Sequence, residues 1–112
     1  MKYIRTLYGI YALKKKLKHD IDVYRFFEGK VIGSQRYYDV TIVAEADTIA
    51  ELCDEFVIVY ETNDFAIYSE LEWAIDKAAR SSWKSQIYSA IWTDKGLIYV
   101  AKMNDKGELE LL

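Results

Sequence analysis

The sequence predicts a single α+β domain over residues 1–112, with a mainly antiparallel sheet that ends in a C-terminal β-meander. The turn motif Asp-Lys-Gly occurs twice, after Thr93 and after Asn104, and it separates short apolar runs over about 86–92, 97–103 and 108–112. Helical periodicity elsewhere predicts a main helix over about 64–82 and a short helix over about 48–54, both packed on the sheet.

Length and composition support one core. With 52% hydrophobic and 29% charged residues, the chain is typical of globular rather than disordered proteins. No apolar run approaches the roughly 20 residues of a membrane span, and the N-terminus lacks the apolar core of a signal peptide. The one cysteine cannot form an internal disulfide, and the one histidine cannot anchor a conventional zinc site. We therefore expect a cytoplasmic protein with no cofactor and no membrane partner.

The N-terminal part is predicted to be mainly strands. Residues 3–13 indicate a strand and turn, with Gly9 supplying the turn or a bulge. Residues 14–18 fit either a helical turn or an exposed strand end, and the apolar run before residue 28 fits a second strand. Residues 37–44 alternate with a period of two, which predicts a half-buried strand.

The central part supplies the helices. Thr48 and Glu51 have the spacing of a capping box, which predicts the start of the short helix. The continuous apolar run over 56–60 predicts a strand covered on both faces, at the centre of the sheet. The main helix has as candidate caps Asn63 or Asp64, or Ser69 with Glu72. Its predicted buried face consists of Leu71, Ala74, Ile75 and Ala78.

Charge divides unevenly along the chain. Residues 1–36 carry nine basic and three acidic residues, net +6, whereas residues 37–112 carry six and fifteen, net −9. This asymmetry fits nucleic-acid contact by the basic part, recognition of a basic partner by the acidic part, or head-to-tail self-contact. A fold that interleaves distant segments would give the same pattern without any partner.

Catalytic patterns are weak. His19 and Asp20 form a pair seen in metal phosphohydrolases, but the further ligands that such a site needs are missing. Cys53 precedes Asp54 and Glu55, which would raise its pKa and disfavour the thiolate. We therefore expect no enzymatic activity.

Three groups of side chains are candidates for binding. An acidic group without a compensating base fits a cation site, an acid–base pair, a phosphate-mimicking surface or a solvated helix face; it consists of Glu45, Asp47, Glu51, Asp54 and Glu55. Its spacing does not match a calcium loop. A basic group lies among aromatic residues and fits a single-strand nucleic-acid face; it consists of Lys14, Lys15, Lys16, Lys18, Arg25 and Arg36.

The third candidate is an exposed tryptophan. Helical spacing places Trp73 on the polar side of the main helix, in line with Lys77 and Arg80. An exposed tryptophan beside cations is a plausible interface anchor, although it can equally contact those cations or be covered by another element. Together with Glu51, Asp54 and Glu55, these residues form the predicted partner-binding set.

Several segments resemble a known protein family. The motifs Ile-Arg-Thr at 4–6 and Gly-Ile-Tyr at 9–11, with residues 46–57 and 87–112, resemble a family of small uncharacterised proteins encoded by phages and prophages of Gram-positive bacteria. The resemblance implies a phage accessory protein that acts in the host cytoplasm, and it transfers no catalytic residues. We therefore expect a non-enzymatic module that binds itself or a host or phage protein, with nucleic-acid binding through the basic N-terminal third as the alternative.

Overall fold

The chain forms ten strands, one α-helix and one short 3-10 turn. The computed structural model describes residues 1–112. In chain order the strands are β1 (Tyr3–Thr6), β2 (Ile10–Lys16), β3 (Asp20–Phe27), β4 (Lys30–Tyr38), β5 (Ile42–Ala46), β6 (Glu55–Tyr60), β7 (Phe65–Tyr68), β8 (Ser85–Thr93), β9 (Gly96–Met103) and β10 (Leu109–Leu111). The 3-10 turn spans Ala50–Leu52 and the helix α1 spans Leu71–Arg80.

The strands form two antiparallel five-stranded sheets, each from one continuous part of the chain. The N-terminal sheet has the order β4-β3-β2-β1-β5, because β5 returns to pair with β1. The C-terminal sheet has the order β10-β9-β8-β6-β7, and β8, β9 and β10 follow one another as antiparallel neighbours. The short edge strands β7 and β10 limit the second sheet, whereas the nine-residue β4 is a long free edge of the first.

The main core lies between the two sheets. One face of the N-terminal sheet packs on β8, β9 and β10 with the 3-10 turn between them, and the buried residues are Ile10, Ala12, Ile49, Leu52, Ile91, Val100, Ala101 and Leu111. Helix α1 covers the rest of the same face of the C-terminal sheet, where Ala74 packs against Phe56, Ile58 and Ile87. The other face of the N-terminal sheet closes over a smaller cluster formed by Ile4, Ile21 and Val23.

A tight turn joins the two sheets. The β3–β4 turn contains two residues with left-handed backbone, Glu28 (φ 52°) and Gly29 (φ 75°). The Gly29 N–H donates to the Leu111 carbonyl on β10 over 3.0 Å. A Cβ atom at Gly29 would lie 2.9 Å from the Glu110 Cβ, so only glycine fits without a shift of β10. The turn therefore fixes the N-terminal sheet to the edge of the C-terminal sheet.

The coarse prediction of a mainly antiparallel α+β domain is confirmed, but several details are wrong. The strands form two sheets rather than one, and β8 rather than β6 is central to the second. The strand predicted over 37–44 is interrupted, because Asp39 adopts a left-handed conformation (φ 51°) that turns the chain between β4 and β5. Residues 14–16 extend strand β2, so the alternative of a helical turn is wrong there.

The predicted helices are longer than the observed ones. The main helix starts at Leu71 rather than near 64, because residues 65–68 pair with β6 as a strand. Its N-cap is Glu70, which makes no capping side-chain hydrogen bond, so the predicted caps Asn63, Asp64 and Ser69 with its partner Glu72 are wrong. The short helix is a single 3-10 turn, although the Glu51 N–H does donate to the Thr48 hydroxyl over 3.4 Å. Packing against the sheets overrides helical periodicity in both places.

Candidate functional site

An open cavity of about 410 Å³ lies at the ends of strands β1 and β8, where three segments distant in sequence meet. The β1–β2 turn, strand β5 and the β8–β9 turn supply its walls. The lining residues are Arg5, Thr6, Leu7, Tyr8, Val43, Trp92, Thr93 and Asp94. We call this cavity the end groove.

The rim of the end groove is apolar and exposed to solvent. Tyr8 is 75% exposed and Trp92 is 55% exposed, and Leu7 and Val43 are also more than half exposed. A smaller cavity of about 150 Å³ shares Leu7 and Tyr8 and adds the exposed Tyr38. The two cavities therefore share one apolar surface with three aromatic rings, and such a surface in a monomer commonly marks an interaction site.

An ion pair holds the lining residue Arg5 in place, and its partner Asp54 lies outside the lining of the end groove. The two terminal nitrogens of Arg5 each donate to one carboxylate oxygen of Asp54, both over 2.7 Å. Arg5 Nη1 also donates to the Leu52 carbonyl over 3.1 Å, and the Trp92 N–H donates to Asp54 Oδ2 over 2.8 Å. Such paired charge-assisted bonds fix geometry as well as adding energy. They therefore join β1, β8 and the segment before β6 beneath the groove.

The same contacts explain the titration of the pair. The hydrogen bond from Arg5 is the main reason that the pKa of Asp54 is lowered, and the Trp92 N–H adds to the effect. The hydrogen bond to Asp54 raises the pKa of Arg5. Both groups therefore remain charged at neutral pH. Because its partners lie within the chain, Arg5 acts as a rigid support rather than as a free cation for a ligand.

Local turn chemistry exposes the rim residues. In the β1–β2 turn, the Thr6 hydroxyl accepts from the Tyr8 N–H over 3.1 Å, which holds Leu7 and Tyr8 outward at the tip. In the β8–β9 turn, the Thr93 hydroxyl accepts from the Lys95 N–H over 3.2 Å and donates to the Gly96 carbonyl over 2.9 Å. A register shift in the β1–β5 pairing leaves Val43 as a bulged residue, and its side chain lines the groove.

The charges beside the end groove are mainly acidic. Asp94 lines the groove itself, and Asp39 lines the smaller cavity beside it. Because the Arg5 guanidinium is already paired, these carboxylates set the charge that a ligand would meet. No cluster of three or more potential metal ligands occurs in the chain. The arrangement therefore fits an apolar ligand group next to a positive charge.

The predicted partner-binding set does not form one surface. Trp73 is 56% exposed on α1, where Lys77 is also present and Arg80 forms an ion pair with Asp76 over 3.3 Å. No cation lies over the Trp73 ring; the one such contact joins Lys14 and Tyr24. Asp54 forms an ion pair with Arg5 of the end groove, and Glu51 is exposed on the 3-10 turn. Glu55 pairs with Ala90 on the face of the C-terminal sheet opposite α1, so the sheet separates it from Trp73.

The acidic segment contains no base of its own, but bases distant in sequence pair with two of its members. Besides the pair between Arg5 and Asp54, Glu45 lies 3.2 Å from the Lys16 ammonium and 3.9 Å from that of Lys2. In each case a base from the first 36 residues meets an acid from the rest of the chain. The charge asymmetry along the sequence is therefore partly neutralised within the fold.

The predicted nucleic-acid set is distributed over both faces of the N-terminal sheet. Lys14 donates to the Ser34 hydroxyl over 3.4 Å, on the face that packs against the C-terminal sheet. Lys16 contacts Glu45 on the opposite face, and Arg36 pairs with Asp22 over 3.0 Å. Three residues of this set have no ion-pair partner within 4.0 Å and no cation–ring contact, namely Lys15, Lys18 and Arg25.

The cysteine is a core residue. The Cys53 thiol donates to the Ile49 carbonyl over 3.3 Å, and burial raises its pKa to about 11. A thiol with a raised pKa is a poor nucleophile at neutral pH, so the predicted direction is confirmed, but burial is the main cause and Asp54 contributes less. The rim residues Leu7, Tyr8, Val43 and Trp92 were not predicted as a site. The available signal was the Thr-x-x-Gly spacing that recurs at 6–9 and 93–96.

No helix of the structure is both long and apolar enough to cross a membrane. Comparisons with family models, with curated proteins and with solved structures find no match to the chain.

Proposed function

We propose that the protein is a non-enzymatic protein-binding module, and that the end groove holds a segment of the partner. The exposed aromatic rim over a fixed ion pair is the observation that carries this proposal. Tyrosine and tryptophan are enriched at the centres of protein interfaces, where their large rings displace water. The Arg5–Asp54 ion pair supports the proposal because it fixes one wall residue of the groove, and a preorganised surface loses less entropy on binding.

The partner segment presents an apolar side chain beside a lysine or arginine. The apolar group occupies the space between Tyr8, Val43 and Trp92. The cation faces Asp94, with Asp39 available beyond Tyr8. Such complementarity contributes more to specificity and to the association rate than to affinity.

The wider setting follows the sequence resemblance. We propose a phage accessory protein of the bacterial cytoplasm, whose partner is a host or phage protein. The helical face with Trp73, Lys77 and Arg80 is a second proposed contact, since the tryptophan ring is exposed there. Nucleic-acid binding through the basic group remains the alternative, and it predicts a steep loss of affinity with added salt.

The test is affinity purification of the tagged protein from a bacterial lysate, with and without nuclease. Trp92→Ala removes a groove ring, and Trp83→Ala is the matched control because Trp83 is 57% exposed but lies outside the groove. We expect a stoichiometric protein that survives nuclease, is retained by the Trp83 variant and is lost from the Trp92 variant. Equal retention by both variants would remove the end groove as the site. Recovery that depends on intact nucleic acid would favour the alternative.

A further inference from the structure

The outer face of the C-terminal sheet, opposite α1 and the N-terminal sheet, carries apolar side chains, and several of them are exposed to solvent. Alternation along β6 places Phe56 and Ile58 toward α1, so Val57 and Val59 face the other way. The pairing register places the residues opposite them on the same face. The apolar residues of this outer face include Val57, Val59, Phe65, Ile67, Tyr88 and Tyr99. A solvated sheet face is normally polar at these positions.

Side chains already pack on this face. The rings of Tyr88 and Tyr99 stack with their centroids 4.6 Å apart. Val57 is only 1% exposed, whereas Phe65, Ile67 and Tyr99 are exposed on the same face. The face therefore resembles one half of a β-sandwich core.

Its charges are complementary to one another. Glu55 and Lys102 lie on this face, and neither has an ion-pair partner within 4.0 Å. Glu55 pairs with Ala90 on β8, and Lys102 pairs with Tyr88 on the same strand. Glu55 and Lys102 are therefore two strand spacings apart across the sheet and two residues apart along it. That offset corresponds to about 12 Å. The third charge, Glu110, is paired with Lys102 in register at the β10 edge, and its carboxylate accepts from the Asn104 amide.

We infer that this face binds the same face of a second copy of the chain. A two-fold axis in the plane between the faces, midway between the charges, brings each Glu55 opposite Lys102 of the other copy. The four adjacent strands β9, β8, β6 and β7 cover roughly 19 by 20 Å. A dimer through this face would bury on the order of 1,000 Å² in total, because the uneven side-chain surface adds to the flat area of the two faces. That area is near the lower limit for a specific interface, so the dimer dissociates on dilution. This self-association goes beyond the proposed binding at the end groove, and it is tested at Ile67, Glu55 and Lys102, which do not line the groove.

The test is analytical ultracentrifugation of the full chain between roughly 1 µM and 1 mM, the range in which an interface of this size dissociates. Ile67→Glu adds a charge to the face, and Val31→Glu is its control, because Val31 is also an exposed aliphatic residue on an edge strand but belongs to the other sheet. We expect a wild-type dimer that Ile67→Glu weakens at least about tenfold and Val31→Glu leaves unchanged. Unchanged circular dichroism and melting show that each variant is folded.

Charge reversal tests the arrangement itself. Glu55→Lys and Lys102→Glu each place like charges together and weaken the dimer at least about fivefold, and the double variant restores the wild-type dissociation constant to within about threefold. A protein that is monomeric over the whole concentration range overturns the inference, whatever else binds the face. A dimer sensitive to Val31→Glu but not to Ile67→Glu overturns it in favour of pairing through β4. Failure of the double variant to recover overturns the proposed two-fold arrangement.

Discussion

Gly29→Ala should destabilise the protein by about 2–4 kcal/mol. A non-glycine residue at φ 75° costs about 1–2 kcal/mol on its own. The new Cβ would also lie 2.8 Å from the Glu110 Cδ and 2.9 Å from its Cβ, so β10 must move. That movement weakens the bonds from Gly29 N to Leu111 O and from Asn104 to Glu110, each of which contributes about 0.5–1.5 kcal/mol.

Two other glycines separate these causes. Gly107 has nearly the same φ, 79°, but a Cβ there would meet no atom within 4 Å, so Gly107→Ala reports the backbone cost alone. Gly33 lies on β4 without a positive φ or a nearby atom, and Gly33→Ala should change stability by less than about 0.5 kcal/mol.

Urea unfolding followed by circular dichroism measures all three variants. We expect the midpoint of Gly29→Ala to lie about 1 M below that of Gly107→Ala, because m is about 1–3 kcal/mol/M for a small domain. Equal midpoints for these two variants would refute the reasoning, since the contact with Glu110 would then cost nothing.

Three further predictions concern the ion pair, the core and the helix. Because the pKa of Asp54 is lowered in the folded state, the stability that its charge contributes is present above its unfolded pKa of about 3.9 and is lost as pH falls through the folded value. Asp54→Asn should therefore reduce stability by about 1–3 kcal/mol at neutral pH and flatten the acid side of a urea-midpoint profile; a wild-type profile in the variant would contradict this. Ser89 is fully buried and makes no hydrogen bond of good geometry, since the neighbouring Cys53 thiol is a weak partner. Ser89→Ala should leave the melting temperature unchanged or raise it, and a fall of several degrees would show that the hydroxyl is satisfied. Trp73→Ala should weaken partner capture while the thermal melt stays that of the wild type, and melting typical of a core variant would instead assign Trp73 a structural role.

Local sequence signals predicted much of the fold. The hairpin at Gly9, the strand runs before residue 28 and over 56–60, and the exposed tryptophan on α1 follow from turn chemistry and periodicity, which act over a few residues. The break at Asp39 is not predictable from the sequence, because the polar and apolar residues alternate without interruption on both sides of it. Asp39 adopts a left-handed conformation, and no glycine marks that position in the sequence. The main helix was predicted too long because pairing with β6 decides the state of residues 65–68.

The candidate site was not predictable in the same way. The end groove depends on Arg5, Asp54 and Trp92, whose mutual contacts span 38 to 87 residues of sequence. Asp54 was identified only as one member of an acidic group, because nothing near it in sequence indicates the arginine that pairs with it. Periodicity assigns side chains to faces within one element, but it does not indicate which elements meet.

Each sheet is built from its own continuous half of the chain, and this has a consequence for how the end groove is assembled. Most strand pairs join neighbours in sequence, so either sheet can begin to form by local hairpin closure. The ion pair between Arg5 and Asp54 forms only when the two halves have docked. The end groove is therefore complete only in a molecule whose two halves have docked, and a chain with one folded half would lack it. A partner that binds there would select fully assembled molecules and, by mass action, hold the two halves together.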